Sequence, residues 1–85
     1  MHALEAMADH LVGMGRFGAA DESAMWAIRA DPFRESGHAA LIRVHLAEGN
    51  QSEALRQFAT YLELIVDELG LEPTPRLRAL AFSSR

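Results

Sequence analysis

The chain has 85 residues, which is below the usual size of an independent domain, so it holds one domain at most. Hydrophobic residues make up 49% of it and charged residues 24%, which excludes a disordered tail. Eight Arg, no Lys and twelve acidic residues give a net charge of −4, which argues against direct nucleic-acid binding. The lack of cysteine excludes disulfides, and the apolar runs are too short to span a membrane. These features predict a cytoplasmic protein.

Apolar residues recur at the 3.6-residue period of an α-helix, and no stretch alternates for long enough to predict a strand. Turn and capping residues divide the chain into five predicted helices. Their approximate ranges are 3–12, 18–30, 32–48, 51–69 and 75–82. Asp31 and Pro32 have the residue types preferred at an N-cap and at the first helical position, so we expect the third helix to begin at Pro32. Asn50 and Thr74 predict the caps of the fourth and fifth helices.

A shift of 34 residues aligns the turn residue Gly15 with Gly49 and the small residue Ala20 with Ala54. Thirty-four residues is the tetratricopeptide period, in which helix hairpins stack on one another. The sequence therefore predicts an all-α fold, a tetratricopeptide-like right-handed array of two antiparallel helix hairpins plus a short C-terminal helix. The same register places Met7 in the core.

The second half of the chain carries a more specific series of segments. In order they are Asp31-Pro32-Phe33-Arg34-Glu35, Ala40-Leu41-Ile42-Arg43, Glu53-Ala54-Leu55-Arg56-Gln57-Phe58, Asp67-Glu68-Leu69-Gly70-Leu71-Glu72-Pro73-Thr74-Pro75 and Leu77-Arg78-Ala79-Leu80. Over about residues 4–82 the chain resembles the bacterial transcriptional activator domain of the SARP-type antibiotic-regulatory-protein family. The resemblance implies that residues 1–85 are a single domain of this kind, either the C-terminal portion of the activator domain or a small stand-alone relative, with the DNA-binding domain absent.

In that family the domain follows a winged-helix DNA-binding domain. The resemblance implies a regulatory and oligomerisation module that acts through protein–protein contacts, with the winged-helix domain or the transcription machinery as partners. Two hairpins and one further helix leave an apolar face uncovered, which either a missing part of a longer protein or a second copy should cover. Of these two we expect the second copy, as a homodimer. The candidate interface residues are Met25, Trp26, Leu77, Leu80 and Phe82.

A second hypothesis is a generic tetratricopeptide scaffold that binds a basic or apolar peptide in its groove. The first helix of each hairpin lines such a groove. The candidate groove residues are Glu5, Asp9, Val12, Ala39, Arg43 and Leu46. The carboxylates of Glu5 and Asp9 would repel a peptide's C-terminal carboxylate, so we expect no carboxylate clamp.

We predict no catalytic, metal or cofactor site. His38 and His45 lie seven residues apart, about 10 Å along a helix axis, which is too far for one metal ion. Both are expected to face the core. The sequence contains neither a nucleophile elbow nor a glycine-rich phosphate loop, so we expect no enzyme.

Overall fold

The computed structural model describes residues 2–82, which form five α-helices and no strand. The helices are α1 (His2–Gly13), α2 (Phe17–Ala30), α3 (Glu35–Ala47), α4 (Gln51–Leu69) and α5 (Pro75–Ala81). Helices α1 and α2 form one hairpin, α3 and α4 form a second, and α5 packs back against α3 and α4. The predicted all-α fold, a tetratricopeptide-like array with a short terminal helix, is confirmed.

The two hairpins turn in the same way at positions that the 34-residue shift aligns. Gly15 and Gly49 have φ angles of 72° and 77°, the left-handed region that glycine adopts without a steric penalty. The Arg16 N–H donates to the Leu11 carbonyl at 2.9 Å, and the Asn50 N–H donates to the His45 carbonyl at 2.8 Å. Both turns therefore close their helix with the same six-residue hydrogen-bonded motif. The repeat is present in the backbone as well as in the sequence.

The two predicted side-chain caps are confirmed. The Glu53 N–H donates to the Asn50 side-chain oxygen at 3.4 Å, and the Leu77 N–H donates to the Thr74 hydroxyl at 3.3 Å. Each side chain satisfies one of the donors that a helix leaves unpaired in its first turn.

The predicted start of α3 at Pro32 is wrong, since the helix begins at Glu35. The Arg34 N–H donates to the Asp31 carbonyl at 3.1 Å, so residues 31–34 form a separate turn. The Pro32 carbonyl accepts a hydrogen bond from the His38 ring at 2.8 Å instead of from the backbone of a helical turn. A side-chain contact therefore replaces the first turn that the proline signal predicts.

The core consists of two clusters on either side of α3. One joins α3 to the first hairpin and contains Ala8, Ala20, Ala24, Ala40, Leu41 and Val44. The other joins α3 to α4 and α5 and contains Ile42, Ala54, Phe58, Tyr61, Ile65, Leu77 and Ala81. Ala20 and Ala54 are fully buried, as expected for small residues at close helix contacts. Among the described helices, none is long and apolar enough to cross a bilayer.

The predicted core position of Met7 is wrong, because this side chain is 51% exposed. Its counterpart in the second hairpin, Leu41, is only 2% exposed because α3 packs against the first hairpin. No described helix lies in the corresponding place in front of α1. The same sequence pattern thus produces a buried residue in one hairpin and an exposed one in the other.

Candidate functional site

The inner side of the array brings the predicted groove residue Glu5 against the start of α3. The Ser36 hydroxyl donates to Glu5 Oε2 at 2.8 Å, and Arg34 Nε lies 3.3 Å from the same oxygen. Arg34 Nε also donates to Ser36 Oγ at 2.7 Å. Glu5 is only 7% exposed. Its negative charge is compensated by the Arg34 guanidinium and the Ser36 hydroxyl.

The second acidic groove residue is also paired. Arg43 Nε donates to Asp9 Oδ1 at 2.9 Å, and Arg43 Nη2 donates to Asp9 Oδ2 at 3.0 Å. These pairings compensate the negative charge that we expected to repel a peptide's C-terminal carboxylate. Val12 and Leu46 pack at the edges of the two core clusters and are half-buried.

A pocket of about 440 Å³ lies between α3 and α5. Its lining residues are Glu35, Ser36, Ala39, Arg43, Arg76, Leu77 and Leu80. The structure therefore brings the groove candidates Ala39 and Arg43 together with the interface candidates Leu77 and Leu80. Sequence reasoning assigned these two pairs to different surfaces, because nothing in the local pattern shows where α5 docks. It also missed Arg76, for which the sequence offers no signal beyond its charge.

Helix α5 is held in this position by polar contacts as well as by the core. The Thr74 N–H donates to Glu35 Oε1 at 3.1 Å, and the Thr74 hydroxyl donates to the other Glu35 oxygen. Glu35 also acts on Tyr61 of α4. The pKa of Tyr61 is raised mainly by burial, and to a smaller extent by the negative charge of Glu35 and by a hydrogen bond with Glu35. The wall of the pocket is thus tied to the first turn of α3.

His38 is a buried structural residue, 2% exposed. Its Nε2 lies 2.8 Å from the Pro32 carbonyl, which can only accept, and its Nδ1 lies 2.9 Å from the Gln57 amide nitrogen, which can only donate. This pattern fits the neutral ring, and burial lowers the pKa of His38 against the opposing effects of Pro32 and Glu35. His38 faces the core as predicted, whereas His45 is half-buried near Glu48. No group of three or more potential metal ligands occurs among residues 2–82.

The candidate interface residues do not share one surface. Leu77 is 2% exposed and belongs to the core, so the expectation that it lies on an uncovered face is wrong. Leu80 is half-buried, and Phe82 packs its edge against Phe58 with ring centroids 5.8 Å apart. Helix α5 covers the second core cluster, which leaves the first hairpin as the more open end of the array.

Trp26 is the largest exposed apolar side chain of that hairpin. It is 57% exposed, and the Arg29 guanidinium lies 5.1 Å from its ring centroid. Trp26 lies one turn beyond Ser23, whose hydroxyl donates to the Leu4 carbonyl of α1 at 2.8 Å. Trp26 therefore lies on the side of α2 that borders α1. Met25, which is 39% exposed, lies about 100° around the helix from it.

Comparison of the two hairpins shows which face of the first hairpin has no helix packed on it. Four α3 residues are buried against the first hairpin, namely Gly37, Ala40, Leu41 and Val44. Their counterparts 34 positions earlier are all exposed, namely Ala3, Ala6, Met7 and His10. We call these four residues, together with Trp26, the leading face. It has the composition of a helix-packing surface, and no further described helix packs on it.

One family model, that of the bacterial transcriptional activator domain, matches residues 1–83. No curated protein and no solved structure gives a significant match. The family consists of transcription-regulator domains and is not an enzyme family. The match includes both hairpins and α5, and it agrees with the resemblance carried by the segments from Asp31 to Leu80. The chain belongs to the bacterial transcriptional activator domain family.

Proposed function

We propose that this domain is a regulatory and self-association module that acts in the cytoplasm through protein–protein contacts. Its family membership supports a role in a bacterial transcriptional activator. The proposed first partner is a second copy of the chain. In a full-length activator, the winged-helix DNA-binding domain and the transcription machinery would be further partners, and residues 1–85 would be a single domain beside them.

The observation that carries this proposal is the contrast between Met7 and Leu41. They occupy equivalent positions, yet Met7 is 51% exposed and Leu41 is 2% exposed. Fully burying a side chain such as methionine contributes about 1.5–3 kcal/mol, so an unfilled packing position favours association. A two-fold dimer would cover the leading face of both copies at once and would leave no open end for further growth.

The composition of the leading face suits contact with itself. Ala3 and Ala6 are small, so two α1 helices can approach closely. Trp26 offers the large aromatic surface that is enriched at the centres of stable interfaces. We expect such a dimer to bury at least about 1,000 Å² in total.

The charges support the proposal that the module does not itself contact nucleic acid. Four arginines of the described residues lie in ion pairs, namely Arg34 with Glu5, Arg43 with Asp9, Arg56 with Glu53, and Arg78 with Glu72. Phosphate binding requires clustered positive charge that the protein's own acids do not neutralise. The net charge of −4 argues in the same direction.

The alternative function is a scaffold that binds a basic or apolar peptide in the groove. The contacts of Glu5 with Arg34 and of Asp9 with Arg43 weaken the basic-peptide version, because both carboxylates are already occupied. We therefore favour self-association over this alternative.

A reporter assay tests the proposal in cells. The chain is fused to a DNA-binding domain that occupies its operator only as a dimer. We expect the fusion to repress the reporter, and Met7→Glu to remove repression by introducing charge into the leading face. Ala59→Glu is the matched control, because Ala59 is exposed on α4, away from that face. A wild-type fusion that represses no better than the DNA-binding domain alone contradicts the proposal.

A further inference from the structure

The pocket between α3 and α5 has the same arrangement on both of its walls. Helix α3 contributes Ala39 and, one turn later, Arg43, while α5 contributes Arg76 and, one turn later, Leu80. Residues four positions apart lie on the same side of a helix. Each wall therefore presents an aliphatic side chain and a guanidinium about one turn apart, and the buried Leu77 extends the apolar floor.

The two arginines retain hydrogen-bonding capacity in this pocket. Arg43 uses Nε and one Nη2 hydrogen in its pair with Asp9, which leaves three of its five donors. Arg76 is exposed and forms no ion pair with any residue from 2 to 82. Arg78, on the same short helix, differs because it lies near Glu72 and over the Phe58 ring.

The acid in the pocket is already occupied. Glu35 accepts hydrogen bonds from the backbone N–H and the hydroxyl of Thr74, so its carboxylate is directed to the α5 cap. Asp9 is paired with Arg43 on the adjoining surface. Of the three charged residues that line the pocket, Arg76 is therefore the one without a hydrogen-bond or ion-pair partner among residues 2–82.

We propose that this pocket binds a short acidic segment of a partner protein, in which an aliphatic side chain lies beside one or two carboxylates. The aliphatic side chain packs on Ala39, Leu77 and Leu80, and the carboxylates accept from Arg43 and Arg76. Guanidinium groups bind carboxylates through two parallel N–H donors, so the geometry of the contact is specific in addition to its charge. A volume of about 440 Å³ accommodates a few side chains and lies in the range of ligand pockets. The site is separate from the leading face and does not depend on self-association.

Three labelled nonapeptides, acetylated and amidated at their ends, provide the test by fluorescence anisotropy. The three peptides have Leu and Gly at the same positions. The remaining positions are all Asp in the first peptide, all Asn in the second and all Lys in the third. We expect the Asp peptide to bind with a micromolar dissociation constant that weakens as salt rises, and the other two to bind at least about tenfold more weakly, a difference of about 1.4 kcal/mol. The Met7→Glu variant should bind the Asp peptide as well as the wild type does, which separates this site from the leading face.

Substitutions at Arg76 locate the site. Arg76→Gln should weaken binding of the Asp peptide about fivefold, and Arg76→Lys should weaken it less, because the charge remains while the paired N–H donors are lost. Arg56→Gln is the control, since Arg56 is an exposed α4 arginine outside the pocket. Equal thermal midpoints of the variants establish that folding is unchanged. The proposal is overturned if the Asn or Lys peptide binds as tightly as the Asp peptide, or if no peptide has a dissociation constant below 1 mM. It is also overturned if the Arg76→Gln variant binds the Asp peptide as tightly as the Arg56→Gln control does.

Discussion

Asp9 and Arg43 lie 34 residues apart in the sequence and face each other across α1 and α3, joined by hydrogen bonds of 2.9 and 3.0 Å. The separation equals the repeat length, so the two side chains occupy equivalent positions in successive hairpins. The pair links the hairpins at the surface of the array, where both side chains are about half exposed. It also compensates the negative charge of Asp9, which would otherwise attract a basic peptide.

A double-mutant cycle measures the strength of this pair. Asp9→Asn, Arg43→Gln and the double variant are compared by urea denaturation. Because both partners are exposed, we expect a coupling free energy of only about 0.2–1 kcal/mol, which falls as salt is added. A coupling that is zero at low salt shows that the two side chains do not interact in solution.

Replacing Ala54 with Leu tests the close contact inside the second hairpin. Ala54 is fully buried among Ile42, Phe58 and their neighbours, so the larger side chain overpacks the core and costs about 1–3 kcal/mol. We expect the thermal midpoint to fall by at least about 4 °C. Ala59→Leu on the exposed side of the same helix should change stability by less than about 0.5 kcal/mol. An unchanged midpoint in Ala54→Leu means that the helix register is wrong.

We expect His38 to make the fold sensitive to acid. Burial lowers its pKa in the folded state below the ordinary value of 6.5, so below that pH the unfolded chain binds more protons than the folded chain. Stability is therefore retained above about pH 6.5 and declines as the pH falls towards 5. His38→Gln should be less stable at neutral pH, because it loses the ring that packs against Tyr61 at 4.6 Å.

The pH dependence of the two proteins distinguishes this effect from general acid denaturation. Urea midpoints measured between about pH 5 and 7.5 should show a steeper decline for the wild type than for His38→Gln. Parallel curves would show that His38 does not titrate differently in the folded and unfolded states.

The local features of this fold were predictable, because local sequence carries them. Gly49 and the Asn50 and Thr74 caps act within a few residues, and the structure contains each of them where expected. The start of α3 was not predictable in this way. There, the His38 side chain binds the Pro32 carbonyl, and this contact overrides the proline signal.

The surfaces were harder to predict than the helices, because they depend on tertiary packing. Met7 has the spacing of a core residue, but its burial requires a helix in front of α1. Leu77 was expected on an open face, but α5 folds back and buries it. The pocket with Arg76 follows from the same docking of α5, which no periodicity in the sequence indicates.

The chain should not bind DNA by itself. Its net charge is −4, and its described arginines are mostly paired with its own acids. Non-specific DNA-binding proteins have dissociation constants of about 10⁻⁴–10⁻⁶ M at physiological salt, and we expect this chain to bind duplex DNA more weakly than that. A gel-shift assay with micromolar, salt-sensitive binding contradicts this expectation.

Sedimentation equilibrium tests self-association most directly. With micromolar wild-type protein, we expect an apparent mass that rises with concentration from the 9.4 kDa of the monomer towards twice that value. Trp26→Ala should shift the distribution towards monomer and lower the stability of the chain, since association and folding are linked by mass action. A single 9.4 kDa species whose mass does not depend on concentration would contradict the proposed dimer.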